Sequence, residues 1–270
     1  MRTVTGNDGT KIAYERSGSG PVLVLVHGTS ASSARWSNVR PLFERSFTVF
    51  AVDRRGRGGS GDVPAGTAYA LEAEFGDVAA VIETAADETA GRPVILFGHS
   101  YGGLASLGAA ALAERLTALI IYEAPVLEGN GIAEELIGRM DAAVAADDRE
   151  TVLKIFCEDV VQMRPGDIAA LRASPAWPAR LAAAHTIPRE LRATGTFSLA
   201  ATHAGNISVP TLLLHGRDSP DFFKASMTRL AAEIPHATSV ALDGQQHVAM
   251  DTAPQLLADT VLDFWHNTGG

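Results

Sequence analysis

The stretch PVILFGHSYGGLAS, residues 93–106, runs from an unbroken apolar segment into Gly98, sets Ser100 at a sharp bend and resumes as an alanine-rich helical pattern. An apolar run with no polar alternation, closed by glycine, fits a strand buried on both faces. The pentapeptide Gly98-His99-Ser100-Tyr101-Gly102 matches GxSxG, although a random chain with 26 glycines among 270 residues would hold roughly 0.15 such matches. Context gives the pattern its meaning. The serine follows the strand at 94–97 and precedes a helical pattern from Leu104 onward. In a strand-to-helix turn this tight the central residue is strained, and side chains two positions before and after it would collide, hence glycine at both. The bend exposes the hydroxyl and aims the amide of Tyr101, at a helix start, toward any oxygen on an attacked carbon.

Outward from that stretch, the segments 22–26, 47–52, 118–122 and 211–214 repeat the continuous apolar character, and most are separated by helical patterns. That alternation predicts an α/β fold with a parallel sheet wrapped by helices. The first residues read as a hairpin turning at Asn7-Asp8-Gly9. Ser219 is placed to cap a helix beginning at Pro220, and Thr252 with Gln255 to form a capping box before the terminal helix. Between 126 and 209 strand-like runs vanish and Pro165, Pro175, Pro178 and Pro188 interrupt short helical stretches. The predicted organisation is a core of 1–125 and 210–270 with a helical cap at 126–209.

Composition removes several classes of function. A net charge of −9 repels a phosphate backbone, and the arginines are scattered apart from a short group at 54–57, so no nucleic-acid partner is expected. Neither a leader pattern nor a long apolar span is evident, which predicts a cytoplasmic protein without a membrane partner. The single cysteine, Cys157, makes no internal disulfide and has no metal-ligand spacing around it, so no metal is expected. Gly56, Gly58 and Gly61 satisfy GxGxxG, but Asp62-Val63-Pro64 follows where a dinucleotide site needs a helix, and no cofactor is expected. Arg54, Arg55 and Arg57 read as surface or turn-bracing charges, and His27 and His99 as packing or turn residues. Trp36 and Trp177, with Phe156 and Phe197, are candidates for lining a substrate pocket.

Five segments occur in a familiar order: VLVLVHGT (22–29), VFAVDRRGRGGS (49–60), FGHSYGG (97–103), LLLHGRDSP (212–220) and GQQHVAM (244–250). Through them nearly the whole chain resembles the alpha/beta hydrolase fold family, in its serine esterase and haloperoxidase-like branch. The resemblance implies an eight-stranded, mostly parallel sheet, a helical cap after the sixth strand, and catalysis by serine, acid and histidine in that order. It makes Ser100 the nucleophile and, among the histidines late in the chain, His247 the base, because His247 lies in the loop after SVALD. For the acid it favours Asp218, in the loop after the seventh strand. Here only Arg217 separates Gly216 from Asp218, and Ser219 stands where the acid is commoner. Glu123, at the end of the strand 118–122, is the alternative acid. The backbone amides of Thr29 and Tyr101 are the implied oxyanion hole. A serine at the bend sets the chain apart from the family's epoxide hydrolases and haloalkane dehalogenases, which carry aspartate there. The expected function is a serine hydrolase of small or medium hydrophobic carboxylic esters. Lactonase, thioesterase, carbon-carbon bond hydrolase and a non-catalytic ligand-binding role on the same scaffold are the alternatives. The expected partner is a small-molecule ester, with monomer and homodimer both open.

Overall fold

Val22, Val24 and Val26 face one apolar layer, and Leu23 and Leu25 between them face another. A strand of this kind is stable only inside a sheet covered on both sides. The computed structural model describes residues 1–64, 66–127 and 131–269. Its eight strands are β1 (Arg2–Thr5), β2 (Lys11–Gly18), β3 (Val22–Val26), β4 (Thr48–Val52), β5 (Val94–His99), β6 (Leu116–Tyr122), β7 (Thr211–Gly216) and β8 (Ala237–Leu242). They form one sheet in the order β1-β2-β4-β3-β5-β6-β7-β8. β1 and β2 pair antiparallel, β2 is antiparallel to β4, and every pairing from β4 through β8 is parallel. The expected eight-stranded, mostly parallel sheet is present.

Helices α1 (Arg40–Phe43), α10 (Ala249–Thr252) and α11 (Pro254–Asn267) close the layer that contains Leu23, and α2 (Leu71–Glu88), α3 (Tyr101–Ala110) and α9 (Asp221–Glu233) close the layer that contains Val24. Two expected caps are not formed. The cap position of α9 is Pro220, and the buried Ser219 hydroxyl has no partner among the described residues. Thr252 donates instead to the Gln245 side chain, and Gln255 to Asp259 one turn on, while Pro254 opens α11. The cap positions themselves are Pro220 and Ala253, whose side chains accept no hydrogen bond, and the fixed φ of Pro254 starts α11 unaided.

Between β6 and β7 the described chain is helical: α4 (Glu134–Ala145), α5 (Arg149–Ile155), α6 (Pro165–Ala173), α7 (Trp177–Ala183) and α8 (Ile187–Thr196), with a π-helical turn at Phe156–Val160. Pro165, Pro178 and Pro188 sit in the first turns of α6, α7 and α8. They begin these helices where the sequence pattern read them as interruptions. These helices share their own apolar cluster, built on residues such as Met140, Leu153 and Ile187, which also takes in Phe223 of α9. No helix among the described residues is long and apolar enough to cross a membrane.

Candidate active site

Ser100 joins β5 to α3 with φ 56° and ψ −128°, a region that L side chains avoid. The surroundings hold it there: its N–H donates to the Tyr122 carbonyl of β6 at 2.8 Å, and its own carbonyl accepts from Gly103 N–H at 2.7 Å. The flanking glycines are steric requirements. A Cβ on Gly98 would lie 2.7 Å from the Gly102 carbonyl oxygen, and one on Gly102 would lie 2.4 Å from the His27 carbonyl oxygen. Gly28, in the turn after β3, comes closer still to the serine, since a Cβ there would stand 2.7 Å from Ser100 Cβ and 3.2 Å from its Oγ. The turn that carries Thr29 is thus pressed against the serine by the absence of a side chain.

His247 lies in the loop between β8 and α10 and is buried. Its Nδ1 is 2.6 Å from Oε2 of Glu123, and Glu123 Oε1 accepts the Gly216 N–H at 2.7 Å. Glu123 is fully buried and follows β6 directly, with φ 49° and its N–H donating to the Leu214 carbonyl of β7. A carboxylate accepts, so Nδ1 carries the ring proton of neutral His247 and Nε2 keeps the lone pair. The imidazole is clamped between two rings, with Phe223 stacked at 4.2 Å and 14° and His99 at 4.5 Å and 40°. His99 Nε2 lies 2.9 Å from the His247 carbonyl, which fixes its proton on Nε2. Burial, and then the neighbouring His247, hold the His99 pKa well below the ordinary histidine value, so it stays neutral. His27 is equally structural: its Nε2 accepts the Arg54 N–H, its Nδ1 meets the Gly28 carbonyl, and burial keeps it uncharged.

Asp218, the acid favoured by loop position, does not meet His247. It is exposed and is bonded through its backbone, N–H to the Gln245 carbonyl and carbonyl from the Gln246 amide. The loop places Ser219, one residue on, in the buried position, so the short spacing after Gly216 leaves Asp218 facing solvent. The alternative, Glu123, makes the contact. Thr29 and Ser100 line two adjoining chambers. Tyr101 is the first residue of α3, so its N–H is among those a helix leaves without an internal partner. The Tyr101 hydroxyl contacts that of Tyr69 at 2.7 Å and the Arg54 guanidinium covers its ring, which anchors the side chain away from the turn.

The larger chamber, of about 280 Å³, is lined by Ser100, Leu136, Phe156, Leu191 and Phe222 among others. A second, of about 30 Å³, lies between Ser100, His247, Cys157 and Arg180. The tryptophan expectations are overturned. Trp36 is fully buried in the core against Phe97 and lines neither chamber, and Trp177 bonds Glu150 and packs under Arg172 away from both. Of the aromatic candidates Phe156 lines both chambers, whereas Phe197 belongs to the sheet core. The arginine group at 54–57 is buried, so of its reading as surface or turn-bracing charge the surface half does not hold. Arg54 pairs with Glu74 and Glu190, Arg55 with Asp77 and Asp8, and Arg57 with Glu190. The helical excursion contributes two further buried charged residues, Glu190 and Arg180.

The model of the alpha/beta hydrolase family matches residues 23–260. The chain belongs to the alpha/beta hydrolase family. A crystal structure of an alpha/beta hydrolase from Sphaerobacter thermophilus DSM 20745 is 36% identical with a TM-score of 0.81, covering 98% of this chain and 100% of that one. An esterase from Rhodococcus sp. ECU1013 is 26% identical with a TM-score of 0.77, over 99% and 98% of the two chains. A pimeloyl-acyl-carrier protein methyl ester esterase from Aeromonas hydrophila subsp. hydrophila is 28% identical over 94% of this chain and 98% of its own length. The sequence pattern does not mark Arg180, Glu190 and Phe223 as site residues. They reach the site from α7, α8 and α9, and no short-range spacing ties them to Ser100.

Proposed function

We propose that this chain is a serine hydrolase that cleaves carboxylic esters through an acyl-enzyme. The observation that carries the reading is the 2.6 Å contact of a buried Glu123 carboxylate with His247 Nδ1, beside a strained serine in the same chamber. In this reading Ser100 Oγ attacks the ester carbonyl while His247 Nε2 takes the hydroxyl proton, and Glu123 stabilises the imidazolium that forms. The N–H groups of Thr29 and Tyr101 stabilise the tetrahedral oxyanion more than the flat carbonyl. The intermediate collapses as Nε2–H protonates the leaving alkoxide, which departs as the alcohol. Water then loses a proton to Nε2, adds to the acyl carbon, and the Ser100 oxygen leaves with that proton to release the acid. The helices between β6 and β7 act as a cap, and the apolar lining of the larger chamber suits a small or medium hydrophobic group.

A fluorophosphonate probe tests the reading: wild type is labelled and Ser100→Ala is not. Nitrophenyl esters of graded acyl length should be turned over by wild type, with a fall in kcat/KM once the chain outgrows the chamber of about 280 Å³. Absence of both labelling and turnover removes the proposal in favour of a ligand-binding role.

A further inference from the structure

Five arginines are buried among the described residues, and four of them have carboxylates. Arg54, Arg55 and Arg57 are paired as described, and Arg35 bonds Asp251 at 2.5 Å. Arg180 is only 7% exposed and has no carboxylate partner among the described residues. Its Nη1 donates to the Ser30 hydroxyl at 2.9 Å and approaches the Ser30 carbonyl at 3.4 Å, and its Nε has no partner among the described residues. This cation and Arg35 both line the small chamber that also contains Ser100 and His247.

Keeping an unpaired guanidinium out of water is costly, and proteins ordinarily neutralise it. Burial, followed by repulsion from Arg35, brings Arg180 down to about 10, which marks a centre that would gain from an anion. Bracing of Ser30 accounts for one Arg180 nitrogen only. The chamber, at about 30 Å³, exceeds the ~10–15 Å³ that admits one water and suits a group of a few heavy atoms. Its walls leave no room for a long chain, whereas the apolar chamber next to it can take one.

We infer that the small chamber is an anion subsite with Arg180 as its donor, and that the substrates are esters carrying a free carboxylate a few bonds from the scissile carbonyl. The substrate class rests on the ester-hydrolase reading; the subsite does not. The carboxylate enters the small chamber, the apolar remainder of the ester fills the large one, and the scissile carbonyl lies between them at Ser100. Arg180 serves here as a specificity-determining residue, because its charge selects the ester and plays no part in the proton transfers.

The experiment reads binding apart from turnover. Ser100→Ala protein is titrated calorimetrically with monobutyl succinate, with butyryloxyacetate, and with the neutral butyl butyrate. The two acids carry their carboxylate on the acyl and the alcohol side respectively. At least one acid ester should bind tenfold or more tightly than the neutral ester, and the margin should vanish in Ser100→Ala/Arg180→Gln. Equal affinities, or a margin that survives loss of Arg180, overturn the subsite. If the Arg180 variant does not fold, Ser100→Ala/Cys157→Asp places a carboxylate in the same chamber and should abolish the margin; retention of the margin counts against the subsite. Acid-ester selectivity in binding without turnover or fluorophosphonate labelling would keep the subsite and remove the hydrolase reading. Labelling with indifference to the carboxylate would do the reverse.

Discussion

At the scale of single residues, the contact that organises the site runs between Glu123 and His247, and it separates two carboxylates that a linear reading leaves in competition. Glu123→Gln should lower kcat on a nitrophenyl ester by about 10⁴-fold, the scale expected when the imidazole loses its orienting carboxylate. Asp218→Asn should leave kcat within about threefold, because an exposed carboxylate without contact to the ring contributes little. The opposite ranking would return the role to Asp218. Gly28 carries a second prediction. A methyl group there would stand 2.7 Å from Ser100 Cβ, so Gly28→Ala should slow fluorophosphonate labelling by at least about 10²-fold, as expected when a reacting group is displaced by about an ångström. Circular dichroism should remain that of wild type. Labelling at the normal rate would show that the turn carrying Thr29 can retreat.

At the scale of elements, α8 is attached to the sheet by charge as well as by packing. Glu190 receives Arg54 at 2.9 Å and Arg57 in a shorter contact, and Arg57 also reaches Thr186, the residue just before α8. Burial works to raise the Glu190 pKa, and Arg54 and Arg57 outweigh it, so the net direction is below the ordinary glutamate value. A carboxyl depressed in the folded state stabilises above its unfolded pKa of about 4.3 and loses that contribution as pH falls toward its folded value. Glu190→Gln should therefore cost about 3 kcal/mol in urea unfolding at pH 7. The gap to wild type should narrow below about pH 4, as the wild-type carboxylate protonates. A constant gap across that range would mean that the loss comes from packing.

At the scale of the whole molecule, the excursion and the core share side chains: Phe223 of α9 packs in the cluster of the excursion, and Arg180 of α7 bonds Ser30 beside the site. The two regions should unfold together. Tryptophan reports on each, since Trp36 is in the sheet core and Trp177 on the excursion. Within each variant that retains one or the other as sole tryptophan, its fluorescence and far-UV circular dichroism should give urea curves with coincident midpoints, the mark of a two-state transition. An earlier midpoint at Trp177 would show the helical region melting alone. Joint folding matters for the proposed chemistry, because both chambers have walls from the core and from the excursion.

Strand identity, the bend at Ser100 and the glycines around it were legible in the residues themselves, because backbone strain, steric exclusion and double-faced burial act over a few neighbours and leave short patterns. The buried state of Arg54, Arg55 and Arg57 was not legible, since their carboxylates come from positions 8, 74, 77 and 190. Trp36 and Trp177 could not be sorted for the same reason: an aromatic side chain looks alike in sequence whether it fills a core or faces a cavity. The chain by itself determined an α/β sheet with a strained serine at a strand end and a histidine in a late loop. Only the tertiary structure decided which carboxylate meets that histidine and which arginine is left without one. Those outcomes depend on distances between segments more than a hundred residues apart, and no local pattern encodes them.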